Sequence, residues 1–145
     1  MSYSIKVKVY QTNTNAFFQL VEKDVWYYAN GGVWNESDGV HKLSMGGSGT
    51  SGMLRFRSEQ GNEAFWVAQG VHNYKPWVDI VTNLTNDYTG VKGLPEYYGS
   101  TVPGRAQARE AQRTSWQAVN AQGRKITANF TVSSGNNLEL NIIIG

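Results

Sequence analysis

Apolar and polar residues alternate in several segments of this chain with the period of two that a half-buried strand requires. In Ser4–Tyr10, Ile5, Val7 and Val9 fall on one face, and Lys6 and Lys8 on the other. Met53–Ser58 alternates in the same way, and apolar runs bounded by turn residues predict strands over Phe17–Lys23, Trp26–Ala29, Val33–Asn35, Val40–Met45 and Ala64–Gly70. The pattern returns in Ser115–Ala121, Lys125–Val132 and a last strand carrying Leu138, Leu140, Ile142 and Ile144. Turn residues separate these runs at Asn30-Gly31-Gly32, Ser37-Asp38-Gly39, Gln122-Gly123 and Ser134–Asn137.

The middle of the chain departs from this period. His72–Leu84 has Trp77, Ile80, Val81 and Leu84 at helical spacing, with Pro76 suited to a first helical turn. Tyr88–Gly104 is irregular and aromatic. Arg105–Arg113 is rich in Ala and Gln and reads as the best helix, with Arg105, Arg109 and Arg113 at i, i+4 and i+8 on one face. Short, regularly spaced strands around a helical insertion predict a mainly β sandwich or barrel, as one domain over residues 1–145.

Gly46–Gly52, Gly-Gly-Ser-Gly-Thr-Ser-Gly, lies between two predicted strands. Gly47–Gly52 matches G-x-G-x-x-G. The dinucleotide motif needs a helix after it, to hold the pyrophosphate, and here a strand pattern follows. Two readings remain: a long hairpin connection, or a loop whose backbone approaches a ligand. Ser48, Thr50 and Ser51 would place hydroxyls beside open amides.

Composition narrows the function. The chain has 145 residues, no cysteine and a net charge of +2. Disulfides and thiolate metal sites are thereby excluded. The basic excess is local, from Arg105 to Lys125 with Glu110 alone against it, and three arginines on one helix more often make ion pairs than a nucleic-acid site. The N-terminus has no apolar signal-peptide core, and no stretch is long and apolar enough to span a bilayer. A cytoplasmic protein is expected, so the sequons at Asn35, Asn83 and Asn129 carry no weight. His72 and His41 have no metal-ligand spacing, and no metal or other cofactor is expected. Asp79 has no spaced carboxylate partner, although Glu96 and Glu110 exist, so a glycosidase is disfavoured. Asn73 offers donors and an acceptor together, as neighbouring sugar hydroxyls require. The many Trp and Tyr residues can join a stacking face to a polar tip.

Several exact runs resemble one known family, the fungal fruit-body lectins. They are Val9–Thr12 (Val-Tyr-Gln-Thr), Tyr28–Gly32 (Tyr-Ala-Asn-Gly-Gly), Met45–Gly52, Gly70–Lys75 (Gly-Val-His-Asn-Tyr-Lys), Asp79–Leu84 (Asp-Ile-Val-Thr-Asn-Leu) and Glu96–Tyr98. Arg105, Arg109-Glu110 and the terminal Leu-Asn-Ile-Ile-Ile-Gly continue the match across the chain. The resemblance implies an actinoporin-like, two-sheet β-sandwich with a short helix-loop-helix insertion joining the sheets. It implies a non-enzymatic, cytosolic, homotetrameric lectin whose partners are glycans of glycoproteins or glycolipids, with neither nucleic acid nor membrane insertion.

Two sugar sites per protomer follow from the same resemblance. One takes galactose or GalNAc in the Galβ1-3GalNAc (T-antigen) disaccharide, on Ala29, Asn30, Ser48, Gly49, His72, Asn73 and Tyr74. The other takes GlcNAc-terminated glycans, on Asp79, Ile80, Thr82, Arg105 and Trp116. Trp116 stands where the family usually has Tyr, exchanging a hydroxyl for an indole N–H. Pro76 replaces a common Arg, Val78 a common Cys, and Val91–Gly104 differs in sequence. The alternative from the same fold is a membrane-acting pore former, against which the chain opens as a strand and not as an amphipathic helix.

Overall fold

The computed structural model describes residues 1–26 and 31–145. Tyr27, Tyr28, Ala29 and Asn30 lie outside the described residues, and with them most of the expected strand Trp26–Ala29. Ten strands make up the described framework: β1 (Tyr3–Gln11), β2 (Phe18–Trp26), β3 (Gly32–Ser37), β4 (Val40–Met45), β5 (Ser51–Ser58), β6 (Ala64–His72), β7 (Lys75–Val81), β8 (Ser115–Val119), β9 (Lys125–Val132) and β10 (Asn137–Ile144). They form a six-stranded sheet ordered β3-β4-β1-β10-β9-β8 and a four-stranded sheet ordered β2-β5-β6-β7. β1 runs parallel to β10, and the other neighbours are antiparallel. The chain passes from one sheet to the other between β7 and β8. That passage carries the helical turn α1 (Gly90–Gly93), a 3-10 helix (Leu94–Tyr98) and α2 (Arg105–Glu110).

The alternating residues of β1 and β10 turn Ile5, Val7, Leu138, Leu140 and Ile142 inward. They meet Leu54, Phe56, Phe65, Val67, Val78 and Ile80 of the four-stranded sheet in one core. The outer face of that sheet is buried too. Met53, Trp66, Ala68 and Trp77 pack there against Leu94, Tyr97 and Ala108 of the helical passage. Both faces of β6 and β7 are therefore covered, and their sequence loses the alternation of a half-exposed strand. This overturns the helix expected over His72–Leu84. Trp77, Asp79 and Val81 face the passage, Val78 and Ile80 face the core, and the apparent helical spacing is the sum of two apolar faces. Pro76 sits in the strand, not at a helix start, and β7 is an edge, where a missing N–H is tolerated. α2 begins at Arg105 as expected but ends at Glu110. Beyond it Gln112 takes φ 51, so Arg113 lies outside the helix.

The N-terminal turn of α1 rests on acidic residues of β2. Glu22 accepts hydrogen bonds from Arg55 Nε (2.6 Å), Gly90 N (2.9 Å) and Val91 N (3.1 Å). A side chain at Gly90 would collide with the Asp24 carboxylate. The Asp24 carboxyl is half-buried beside Glu22, with which it shares a hydrogen bond. Burial first, and Glu22 second, push its pKa up to about 7. Ionising Asp24 thus costs more in the folded state, so its effect on stability turns against folding as pH rises from about 4 to about 7. Asp24→Asn should raise the melting temperature at pH 8 and leave it nearly unchanged at pH 4. An equal shift at both pH values in thermal melts would refute this.

Candidate functional site

Two polar surfaces flank the helical passage. The first is built on the β4–β5 connection and the β6–β7 turn. Gly49 adopts φ 95, a conformation L side chains rarely take, and its N–H donates to the Val71 carbonyl (2.8 Å). Val71 N–H returns a bond to the Thr50 carbonyl (3.1 Å). The connection is therefore tied to β6 as extra rungs of the ladder. Ser51 and Gly52 already belong to β5, and Thr50 and Ser51 are fully buried. Two sequence-based expectations change here. The loop is preformed and not a slack hairpin connection, and the Gly49 amide is already engaged and not open to a ligand.

Asn73 (φ 48) and Tyr74 (φ 66) are the central residues of the β6–β7 turn, both in the left-handed region, as a two-residue type I′ hairpin requires. Asn tolerates this, whereas Tyr does so less readily. Ser48 Oγ accepts the Tyr74 N–H at 3.0 Å and holds that strained residue in place. The Ser48 hydroxyl keeps its own proton free to donate. Asn73 and Tyr74 are exposed and His72 is half-buried. The structure thus brings together Ser48, Gly49, His72, Asn73 and Tyr74. Ala29 and Asn30, expected at the same surface, lie outside the described residues.

Behind this surface stands α2. Gln112 Nε2 donates to the His72 carbonyl (2.6 Å), and Arg109 Nη1 lies 2.9 Å from His72 Nδ1. Arg109 Nε also donates to the Tyr97 carbonyl (2.9 Å), and its guanidinium lies 4.6 Å from the Tyr98 ring centre. Burial, then the Arg109 charge, holds the His72 pKa below the ordinary histidine value, with Glu110 opposing.

The second surface is centred on Asp79. Its Oδ2 accepts the Tyr97 hydroxyl (2.7 Å), which in turn accepts Trp66 Nε1 (3.0 Å). Its Oδ1 accepts Arg113 Nη2 (3.2 Å). Burial raises the Asp79 pKa, against the Tyr97 hydrogen bond and the charges of Arg113 and Arg105. The Arg113 guanidinium lies 3.5 Å from the centre of the Trp116 ring. One face of that ring is thus covered, and the side chain remains 37% exposed.

Of the expected second set, Asp79 and Trp116 are bridged through Arg113. Ile80 turns its side chain into the sandwich core, 5% exposed, and can offer a ligand only its backbone. Thr82 lies just beyond β7, partly exposed. Arg105 packs over Trp66 and Tyr97 and lies 3.8 Å from Glu96, so it lines the aromatic cluster beside Asp79 without a direct bond to it. Arg113 is absent from the expected set, yet it contacts both Asp79 and Trp116. The i, i+4, i+8 arginine spacing is the sequence signal that points to it, although it lies beyond the end of α2; its carbonyl, which accepts Val78 N–H (3.1 Å), anchors it to the β7 edge.

A family model described as fungal fruit body lectin matches residues 1–142. Boletus edulis lectin, from Boletus edulis, is 48% identical over 144 residues, 99% of each chain. The crystal structure of wild-type Xerocomus chrysenteron lectin XCL is 49% identical, covers all of both chains and superposes with a TM-score of 0.94. A substituted form of that lectin, solved at 1.4 Å, is 51% identical with the same TM-score over 100% of this chain and 99% of its own.

Proposed function

The chain belongs to the fungal fruit body lectin family, and from that premise we propose that its two surfaces bind different sugars. It is a carbohydrate-binding lectin and not an enzyme. The first surface, Ser48 with His72, Asn73 and Tyr74, is assigned to galactose or GalNAc in Galβ1-3GalNAc. The second, Asp79 with Trp116, Thr82, Arg105 and now Arg113, is assigned to GlcNAc-terminated glycans. The observation that carries the reading is the Ser48–Tyr74 hydrogen bond. It fixes the glycine-rich connection and the Asn73 turn as one exposed wall, with a hydroxyl donor and an amide on the same rim. Such groups suit vicinal sugar hydroxyls, and no ordering cost falls on a preformed wall at binding.

Each neutral hydrogen bond contributes about 0.5–1.5 kcal/mol, so one site alone should bind in the micromolar to millimolar range. Several copies acting together supply the avidity a lectin needs. A cytoplasmic homotetramer is the proposed form. The pore-forming alternative is disfavoured by β1, which is held in the six-stranded sheet between β4 and β10 and is not a free amphipathic segment.

Titration with Galβ1-3GalNAc and with GlcNAc, followed by a glycan array, tests the assignment. Asn73→Ala should weaken the galactoside by about tenfold or more and leave GlcNAc binding intact. Loss of both sugars together, or of neither, would disprove two independent sites.

A further inference from the structure

Arginine has hydrogen-bond donors only and no acceptor. The 2.9 Å approach of Arg109 Nη1 to His72 Nδ1 therefore requires Nδ1 to be the acceptor. A proton on Nδ1, in either the other neutral tautomer or the imidazolium, would set two N–H groups against each other. His72 is thus neutral with its proton on Nε2. Of the charged groups facing the ring, Arg109 on α2 favours the neutral form and Glu110 on the same helix opposes it, while Lys75 on β7 is the Cα register partner of His72; the Arg109–Nδ1 contact decides.

The consequence passes to the next side chain. The Asn73 amide lies 3.3 Å from His72 Nε2 through the position of its Nδ2. A nitrogen there would again face a donor with a donor. The amide has nearly the same shape when its O and N exchange places, and only the exchanged form lets Oδ1 accept the Nε2 proton. Nδ2 then turns outward, with two N–H groups toward solvent.

We infer that Arg109 is a positioning residue of the first surface: it fixes the His72 tautomer and, through it, orients Asn73 so that an N–H donor is presented to the ligand. The relay runs in one direction, from Arg109 to His72 to Asn73 to an oxygen of the ligand. The group read at this point is a sugar oxygen acting as acceptor, such as a hydroxyl or ring oxygen. A ligand group that can only donate is rejected. This rests on the galactoside reading of the first surface, but the tautomer does not, because it follows from the Arg109–His72 contact alone. Arg109 has independent anchors on the Tyr97 carbonyl and the Tyr98 ring, so its donor is held in position and is not merely drawn to the imidazole.

Nitrogen-15 NMR of the two histidines in the sugar-free protein, together with galactoside titration, is the test. His72 should show a protonated Nε2 and a bare Nδ1 at pH 7. Arg109→Met, which keeps the stem and removes the donor, should produce a mixture of tautomers and weaken Galβ1-3GalNAc by about tenfold, with GlcNAc affinity changed by less than about twofold. Arg109→Lys should restore the tautomer and most of the affinity. A protonated Nδ1 in the wild-type protein overturns the inference whatever the sugar does. So does full galactoside affinity in Arg109→Met. The wild-type tautomer and the Lys variant decide the matter even if the Met variant folds poorly. The predicted tautomer with no galactoside binding in the wild type would instead remove the sugar assignment of this surface.

Discussion

Arg124→Ala should lower the melting temperature by about 10–20 °C, the largest stability loss expected from a single truncation outside the apolar core. Arg124 lies in the β8–β9 turn and donates through Nε to Glu63 Oε1 (2.7 Å) and through Nη2 to Oε2 (3.1 Å). Its Nη1 reaches the Gly145 carbonyl (2.7 Å) and Asn15 Oδ1 (3.2 Å), and its guanidinium lies 5.2 Å from the Phe18 ring centre. Asn120 Nδ2 adds a third donor to Glu63 (2.7 Å). One guanidinium thus ties the β8–β9 turn to both sheets and to the chain end. The two side chains are only 8% and 7% exposed. Removing the arginine leaves a carboxylate buried and under-compensated, which costs about 3–5 kcal/mol.

The pH dependence of this pair has a definite sign. The Arg124 hydrogen bond, outweighing burial, holds the Glu63 pKa below its usual value. The stabilisation is complete above the unfolded value and is lost as pH falls through the folded one. Melting curves of the wild type and Arg124→Ala should therefore converge in strong acid. Replacing both partners by Leu and Met should cost much less than Arg124→Ala, because no charge is then left unpaired. A fall of less than about 3 °C at neutral pH would sink this account.

The sequence pattern is most legible where one strand face meets water. β4 and β9 alternate cleanly, and their bounds are Val40–Met45 and Lys125–Val132 by pattern and by structure alike. β7 is illegible in the same terms because the helical passage covers its outer face, and burial on both sides erases the period. Ser48 and Asn73 could be singled out from their own chemistry and context, whereas Asp79 and Trp116 enter as sugar-site residues only through the resemblance to the family. Their supports could not be read from the chain. Arg109 reaches His72 across 37 residues and Arg113 reaches Asp79 across 34, and no local pattern encodes such meetings. The glycine-rich connection shows the same limit. Its composition points to close backbone approach, but only the fold shows that the approach at Gly49 is to Val71.

Asp79→Ala should abolish GlcNAc binding, by about a hundredfold or more, and destabilise the protein by about 2–4 kcal/mol. The structural part follows from the buried Tyr97 hydroxyl losing its acceptor and Arg113 losing its ion-pair partner. The functional part follows because the Arg113 guanidinium then loses the carboxylate that orients it over Trp116, although its backbone stays anchored on Val78. Asp79→Asn separates the two. Its carbonyl still accepts from Tyr97, so the fold should be largely kept, but the charge that draws Arg113 is gone. We expect melting close to wild type with GlcNAc weakened at least tenfold, and wild-type GlcNAc affinity in this variant would show that the carboxylate serves the fold alone. Burial raises the Asp79 pKa, so the folded state releases this proton less readily than the unfolded chain. Its ionisation therefore costs stability as pH climbs from the unfolded value near 3.8 through the raised one. If the second surface binds sugar through Arg113 as proposed, binding needs the ionised form and should grow over the same window. Stability and GlcNAc affinity should then move in opposite directions, and parallel movement would separate Asp79 from the binding surface.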